Sequence, residues 1–188
     1  GILTADAAGR AKMGAGFIIE SLLGTGCVTD DKVATGISPT KLSAIACMAI
    51  KAAAENIATA NWTSVALDGA DVVDTDAMHD PAVNNTRVTV PYAGKYLITG
   101  TLVFAASATG HRRARVRKNG AGSGIVSGYL PAAVTEVIGV PLYGVVELAA
   151  NDYLELQGFQ NSGGGLDTYG TTALTDVTTH LSVTFLGA

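Results

Sequence analysis

The highest density of positive charge lies in the segment His111-Arg-Arg-Ala-Arg-Val-Arg-Lys118, which holds five of the twelve lysines and arginines. Side chains alternate between the two faces of a strand, so Arg113, Arg115 and Arg117 are predicted to share one face. A row of guanidinium groups can bind carboxylates or sulfates, because each group offers paired donors. Three roles are open for this row: contact with a neighbouring subunit, binding of a surface polysaccharide, or a solvated face whose ion pairs have little net value.

The chain offers little else that could do chemistry. Its three histidines stand singly, without metal-ligand spacing, and there is no Gly-x-Ser-x-Gly turn for a nucleophile. Cys27 and Cys47 fit no zinc spacing and leave a disulfide open. Aspartates are frequent between residues 68 and 80, but they lack the pattern of a calcium loop. We therefore expect no catalytic residues, no cofactor and no metal site.

The composition indicates a protein with part of its surface buried against other chains. Only 15% of the 188 residues are charged and 48% are apolar, so part of the apolar surface is expected to be covered by partners. The net charge of −4 argues against a nucleic-acid partner. Lys51 and Glu55 interrupt the most apolar stretch, so no membrane insertion is expected.

Residues 1–43 lack the pattern of a folded domain and are predicted to form an extended attachment arm. The order polar-polar-polar-Lys-apolar occurs twice, at residues 29–33 and 38–42. One copy cannot bury its apolar residue alone, so the arm either winds with those of neighbouring chains or docks on its own domain. The arm residues expected to pack in this way are Leu23, Val28, Val33, Ile37 and Leu42.

Residues 44–60 are predicted to form one short helix, with Ser43 as its N-cap. Ile50 and Ile57 are seven residues apart with small residues between them, which fits about two heptads. Two arrangements are open. The helix either forms a short three-stranded bundle, with Ile50 and Ile57 in the trimer contact, or packs singly on the domain that follows.

From Trp62 onward the apolar residues recur with a period of two, which indicates strands. Turn residues separate these strands, above all Asn119-Gly120, which favours a two-residue hairpin. Many short antiparallel strands at this spacing predict a sandwich or barrel over residues 61–188. The predicted strands are 62–67, 86–91, 95–106, 112–118, 125–130, 134–148, 152–159 and 179–186.

Residues 62–188 resemble the C1q/TNF-like family in several segments. Thr86-Arg-Val-Thr-Val-Pro-Tyr-Ala-Gly-Lys-Tyr-Leu-Ile98 is similar to the family's "p-x-x-G-x-Y" entry into its longest core strand. Arg117-Lys-Asn-Gly120 resembles its next hairpin, and residues 147–156 resemble its "L-x-x-G-D-x-V-x-L" segment, with Asn151 in place of the usual Gly. The resemblance implies an antiparallel jelly-roll sandwich that forms homotrimers through apolar faces along a threefold axis.

Bacteriophage proteins carry such heads behind repeat-bearing N-terminal arms, and this chain has a similar layout. The expected function is a non-enzymatic, homotrimeric virion structural protein, displayed on the particle and assembled in the cytoplasm of the host bacterium. Its arm is expected to bind other virion proteins of the capsid or tail, as in a head decoration protein or a short spike or fibre. The alternative is a receptor-binding tail-fibre tip that recognises a host surface glycan.

Overall fold

The computed structural model describes residues 44–172 and 178–187, together with two short strands nearer the N-terminus. The chain divides into two compact units, Gly1–Ser43 and Ala44–Ala188. In the first unit, β1 (Thr4–Ala5) pairs antiparallel with β2 (Ala11–Lys12). The arm residues predicted to pack, Leu23, Val28, Val33, Ile37 and Leu42, lie outside the described residues.

The second unit is an antiparallel β-sandwich of two sheets. Sheet 1 has the strand order β4-β13-β8-β14-β3-β6, and β11 pairs with the other edge of β8. Sheet 2 has the order β10-β9-β12-β5, and β7 also pairs with β12. The strands are β3 (Ala46–Ile50), β4 (Glu55–Ile57), β5 (Thr63–Ser64), β6 (Val73–Asp74), β7 (Arg87–Thr89), β8 (Gly94–Phe104), β9 (Ser107–Lys118), β10 (Gly124–Ala133), β11 (Ile138–Leu148), β12 (Tyr153–Gln160), β13 (Leu166–Thr168) and β14 (His180–Gly187).

The core lies between the two sheets and is built mainly by alternation along the long strands. In β8 the side chains of Tyr96, Ile98 and Leu102 are fully buried, whereas those at positions 97, 99 and 101 point outward. Ala114 and Val116 of β9 face them from sheet 2 and are equally buried. In these strands one face carries apolar side chains and the other points away from the core. The pairing register of each strand therefore determines which of its residues reach solvent.

The fold class predicted from the sequence, a mainly β antiparallel jelly-roll, is confirmed. Each of the eight predicted strands overlaps an observed one, namely β5, β7, β8, β9, β10, β11, β12 and β14. The Asn119-Gly120 hairpin is also present: both residues have positive φ, at 51° and 70°, and the backbone N–H of Ala121 donates to the carbonyl of Lys118. Strands β3, β4, β6 and β13 were not predicted.

The predicted helix over residues 44–60 is wrong, because this segment forms β3 and β4. β3 pairs with β14, about 130 residues further along the chain, and completes sheet 1 beside it. Alanine favours a helix by about 0.5 kcal/mol per residue or less over most residues, and this weak preference is overridden by pairing and burial in the sheet. Cys47 and Ala49 point into the core, so the small residues that suggested a helix are core residues of a strand.

Ile50 and Ile57 therefore do not share a helix face. Ile50 ends β3 on the outward side of sheet 1, whereas Ile57 in β4 is fully buried in the core of its own chain. Burial of Ile57 consequently needs no second chain. No helix in the described part of the chain is long and apolar enough to cross a membrane.

Gly158 in β12 packs directly against side chains of the opposite sheet. A Cβ added there would lie 2.5 Å from Cδ1 of Ile57 and 2.7 Å from Cδ2 of Leu102, both of which are buried. We expect Gly158→Ala to lower the free energy of unfolding by about 1–3 kcal/mol, as measured by urea denaturation, because the packed core cannot absorb the methyl group. Gly122→Ala is the control, since nothing lies within 4 Å of its added Cβ. Equal effects of the two changes would contradict this account of the core.

Candidate binding and assembly faces

The three arginines predicted to share one face do so. The outward side chains of sheet 2 form a surface that we call the arginine face, centred on Arg113, Arg115 and Arg117 of β9. Strand pairing places a different neighbour beside each of them on β12: Phe159 beside Arg113, Gln157 beside Arg115 and Glu155 beside Arg117. The three guanidinium groups therefore have three different chemical environments.

Arg117 is neutralised within the chain. Its Nε donates to Oε2 of Glu155 at 2.7 Å, and Nε of Arg87 lies 3.7 Å from the other carboxylate oxygen. The Glu155 side chain is 4% exposed and that of Arg117 is 24% exposed, so this pair is screened less than an ordinary surface ion pair. The guanidinium of Arg87 also stacks on the Tyr153 ring, 4.3 Å from its centroid. This end of the face is a structural ion-pair cluster.

Arg115 donates its hydrogen bonds to uncharged acceptors. Its Nε donates to Oε1 of Gln157 at 2.8 Å, and its Nη1 donates to the carbonyl of Gly122 at 2.7 Å. The guanidinium also lies 4.1 Å from the centroid of the Trp62 ring. Burial, and then the charges of Arg117 and Arg113, lower the pKa of Arg115. The positive charges of the neighbouring arginines thus repel that of Arg115, and no carboxylate compensates it within the described residues.

Arg113 has aromatic neighbours on both sides. Its guanidinium lies 5.3 Å from the Trp62 centroid and 5.9 Å from that of Phe159, and Tyr129 is its partner on β10. The ring of His111 stacks on Phe159 at 5.6 Å and lies 5.2 Å from Tyr129. Within the described residues, no carboxylate forms an ion pair with Arg113 or Arg115.

Sequence reasoning missed these aromatic residues, since Trp62, Phe159 and Tyr129 come from three separate segments that only sheet pairing brings together. It also gave no sign that Arg112 differs from its neighbours. Arg112 points into the protein, is fully buried, and donates to the carbonyls of Ser107, Thr109 and His111. Burial lowers the pKa of Arg112, and its contacts hold the corner between β8 and β9.

The outward surface of sheet 1 has the opposite character, and we call it the apolar face. Its outward positions carry small or apolar residues on β3, β14, β8 and β11, with His180 at the start of β14 as an exception, and its charged pair, Lys95 and Glu147, lies side by side at one end. The most exposed apolar side chains here are Tyr143 at 78%, Val145 at 59% and Leu97 at 37%. The face comprises Ala46, Met48, Ile50, Lys95, Leu97, Thr99, Thr101, Pro141, Tyr143, Val145, Glu147, His180, Ser182 and Thr184.

The edge strands β10 and β11 lie side by side at the same margin of the sandwich. A Cβ added at Gly128 of β10 would meet the carbonyl of Pro141 in β11, so the two strands can approach this closely only with glycine there. A shallow cavity of about 310 Å³ opens between them and is lined in part by Tyr129, Leu130 and Tyr143. The apolar face thus continues around this margin.

The aspartates between residues 68 and 80 hold turns. Asp74 accepts the backbone N–H groups of Met78 and His79, and Asp80 accepts those of Ala82 and Val83. Oδ1 of Asp71 lies 2.8 Å from Nδ1 of the buried His79. These carboxylates are thus engaged in local structure, and no group of three or more His, Cys, Asp or Glu side chains in the described ranges is arranged to hold a metal ion.

Two further buried groups are structural. Lys51 is 1% exposed, and its Nζ donates to Glu55 at 2.8 Å and to the carbonyl of Ala66 at 3.1 Å, so the two charges that interrupt the apolar stretch pair with each other.

Cys47 is a free thiol in the core. Burial, with the nearby carboxylates of Asp74 and Asp71, raises the pKa of Cys47 to about 12, which makes it a poor nucleophile.

Two turns at one end of the sandwich are joined by Asp152. Its carboxylate accepts hydrogen bonds from Nδ2 of Asn119 at 2.6 Å, the N–H of Ala149 at 2.9 Å and Nζ of Lys118 at 3.1 Å. Asn151 has a φ of 67°, a conformation that asparagine tolerates, which explains how it can stand where the family resemblance expects glycine. The hydrogen bond from Asn119 is the main cause that lowers the pKa of Asp152.

A lowered pKa means that Asp152 stabilises the fold when ionised. Its contribution is complete above the pKa of about 4 in the unfolded chain and is lost as the pH falls through the lower folded value. We expect Asp152→Asn to lower the free energy of unfolding near pH 7 by about 1–3 kcal/mol. One of the two acceptor oxygens becomes an amide N–H₂ group, which cannot accept the hydrogen bonds donated to it. The difference from the unchanged protein should shrink below about pH 4 in urea titrations. A difference independent of pH would contradict this role, and Asp76→Asn, at an exposed position, is the control.

No protein-family model matches this sequence, and no curated protein matches it. Solved structures do match. A crystal structure of murine APRIL is 14% identical with a TM-score of 0.56, over 77% of this chain and 100% of that one. The globular domain of zebrafish complement 1qA protein is 9% identical with a TM-score of 0.51, over 76% of this chain and 97% of that one. At these identities the likeness is one of fold, and the second unit has a C1q/TNF-like jelly-roll fold.

Proposed function

We propose that this protein is a non-enzymatic homotrimeric structural protein of a phage virion, displayed on the particle and anchored by residues 1–43. The observation that carries the proposal is the contrast between the two outer faces of the sandwich. The arginine face is charged, with Arg117 paired to Glu155 within the chain and Arg115 lying over the Trp62 ring. The apolar face carries charges at one end only and exposes Tyr143, Val145 and Leu97 to solvent.

An exposed apolar sheet face of this kind is typical of a surface that another chain covers. The adjacent β11 edge adds a second requirement, since an unpaired edge strand exposes backbone groups that invite uncontrolled pairing. A ring in which the edge of one subunit lies on the apolar face of the next covers both features, and such contacts close when the rotation is right. The C1q/TNF-like resemblance implies that three subunits close this ring.

The virion role rests on the layout of the chain. A separate N-terminal unit, Gly1–Ser43, precedes the jelly-roll head, and its weak repeat is typical of attachment segments that pack only against partners. The arm is proposed to bind capsid or tail proteins, while the head faces outward. The small size of the head favours a decoration protein or a short spike. Catalysis is not part of the proposal.

Light scattering on a sizing column tests the trimer. We expect a mass three times the 19.0 kDa of the chain. Val145→Asp should shift the protein to monomers at micromolar concentration, because burying an unpaired carboxylate at each contact costs several kcal/mol. Val83→Asp is the matched control, since Val83 is 61% exposed, as Val145 is at 59%, but lies in the turn after Asp80, outside the apolar face. A monomeric starting protein, or trimers that survive Val145→Asp, would contradict this assembly mode.

Co-sedimentation with purified virus particles tests the anchoring role. The full chain should be detected in the particles by mass spectrometry, and added protein should sediment with particles that lack it. A chain that begins at residue 44 should keep its trimer mass and fail to sediment with them, because the head alone lacks the attachment segment. Particle binding by the shortened chain would show that the head is the anchor.

A further inference from the structure

The aromatic end of the arginine face has features that assembly through sheet 1 does not use. Trp62, Phe159, His111 and Tyr129 adjoin one another across sheet 2, with ring centroids 5.2–5.6 Å apart in successive pairs. Arg113 lies among them and is exposed, and Tyr129 is 61% exposed. Sheet 2 lies on the opposite side of the sandwich from the apolar face, so a ring formed through sheet 1 leaves Arg113, Trp62 and Phe159 open. Tyr129 alone also borders the margin between β10 and β11.

Charge is distributed unevenly along this face. Around Arg117 the positive charge is cancelled by Glu155, whereas around Arg113 and Arg115 no described carboxylate completes an ion pair. The lowered pKa of Arg115, caused by burial and by its arginine neighbours, agrees with an excess of positive charge at this end. In a chain with a net charge of −4, this end is a local site of attraction for an anion.

We propose that Arg113 and the rings of Trp62, Phe159, His111 and Tyr129 form a binding site for a carboxylated polysaccharide. A sugar ring presents an apolar C–H face that packs on aromatic side chains, and a uronic acid carries a carboxylate that a guanidinium can bind through two parallel hydrogen bonds. One carboxylate per sugar matches a site with few unneutralised guanidinium groups set among several rings.

Two other polyanions fit this surface less well. A heavily sulfated chain would place many negative charges beside a protein of net negative charge, and only one end of the face could compensate them. Single-stranded nucleic acid stacks its bases on open aromatic rings. Here Trp62 is tilted by 46° to Phe159 and His111 by 35° to Tyr129, and the one parallel pair, His111 and Phe159, stacks on itself, so the rings do not form a series of parallel platforms for bases.

Calorimetric titration of the full chain tests the site, with a hexamer of galacturonic acid as the probe. We expect binding that weakens as salt is raised, since a charge pair contributes, and no comparable binding of the neutral hexamer maltohexaose. Arg113→Gln and Tyr129→Ala should each weaken binding by about tenfold, the loss expected for one charge-assisted contact or one stacking contact. Both variants change exposed residues, so neither should disturb the fold.

Arg87→Gln is the control, because it removes a guanidinium from the same face that already lies beside Glu155; affinity should change less than threefold. The proposal is overturned by absence of binding at millimolar probe, by equal binding of maltohexaose, by tighter binding of heparin or of an eight-nucleotide oligothymidylate, or by unchanged affinity of Arg113→Gln. Light scattering of the same samples separates this result from the trimer proposal. A monomer that binds the probe would refute the trimer and leave the site standing.

Discussion

The pairing register of β8 and β9 is the constraint on which the other features of this protein depend. β8 is hydrogen-bonded to β11 along its whole length and to β14 on its other side, and β9 is likewise held between β10 and β12. Because strand side chains alternate with a period of two, a slip of one residue would exchange the inner and outer faces. It would bring Arg113, Arg115 and Arg117 into the core and expose Ala114 and Val116.

That register divides the surface by chemistry. Sheet 2 concentrates the arginines on its outer side, where strand pairing gives each a different neighbour: Glu155, Gln157 or Phe159. Sheet 1 presents threonine, serine and apolar side chains, so its outer surface is suited to contact with protein. The low charge content of the whole chain is thus distributed unevenly between two opposite faces.

Buried polar groups hold the strands and turns in that register. Lys51 with Glu55, His79 with Asp71, and Asp152 with Asn119 each join segments that are close in space and satisfy donors that the fold removes from water. Arg112 also holds the β8–β9 corner, through hydrogen bonds from its two Nη atoms to backbone carbonyls, while its buried Nε has no partner in the described residues. The paired groups add specificity because any other arrangement would leave them unpaired.

Alternation and turn residues are local properties, so the sequence alone predicts the approximate positions of eight strands, the Asn119-Gly120 hairpin and the common face of the three arginines. Residues 44–60 form strands only because of long-range pairing, since the partner of β3 lies in β14, far along the chain, and this pairing outweighs the helix preference of alanine. The tertiary structure also decided which arginine is neutralised and which meets aromatic rings, because Trp62, Phe159 and Glu155 reach β9 only through non-local pairing. Contacts between distant segments leave no periodic pattern in either segment, so they cannot be predicted from local sequence.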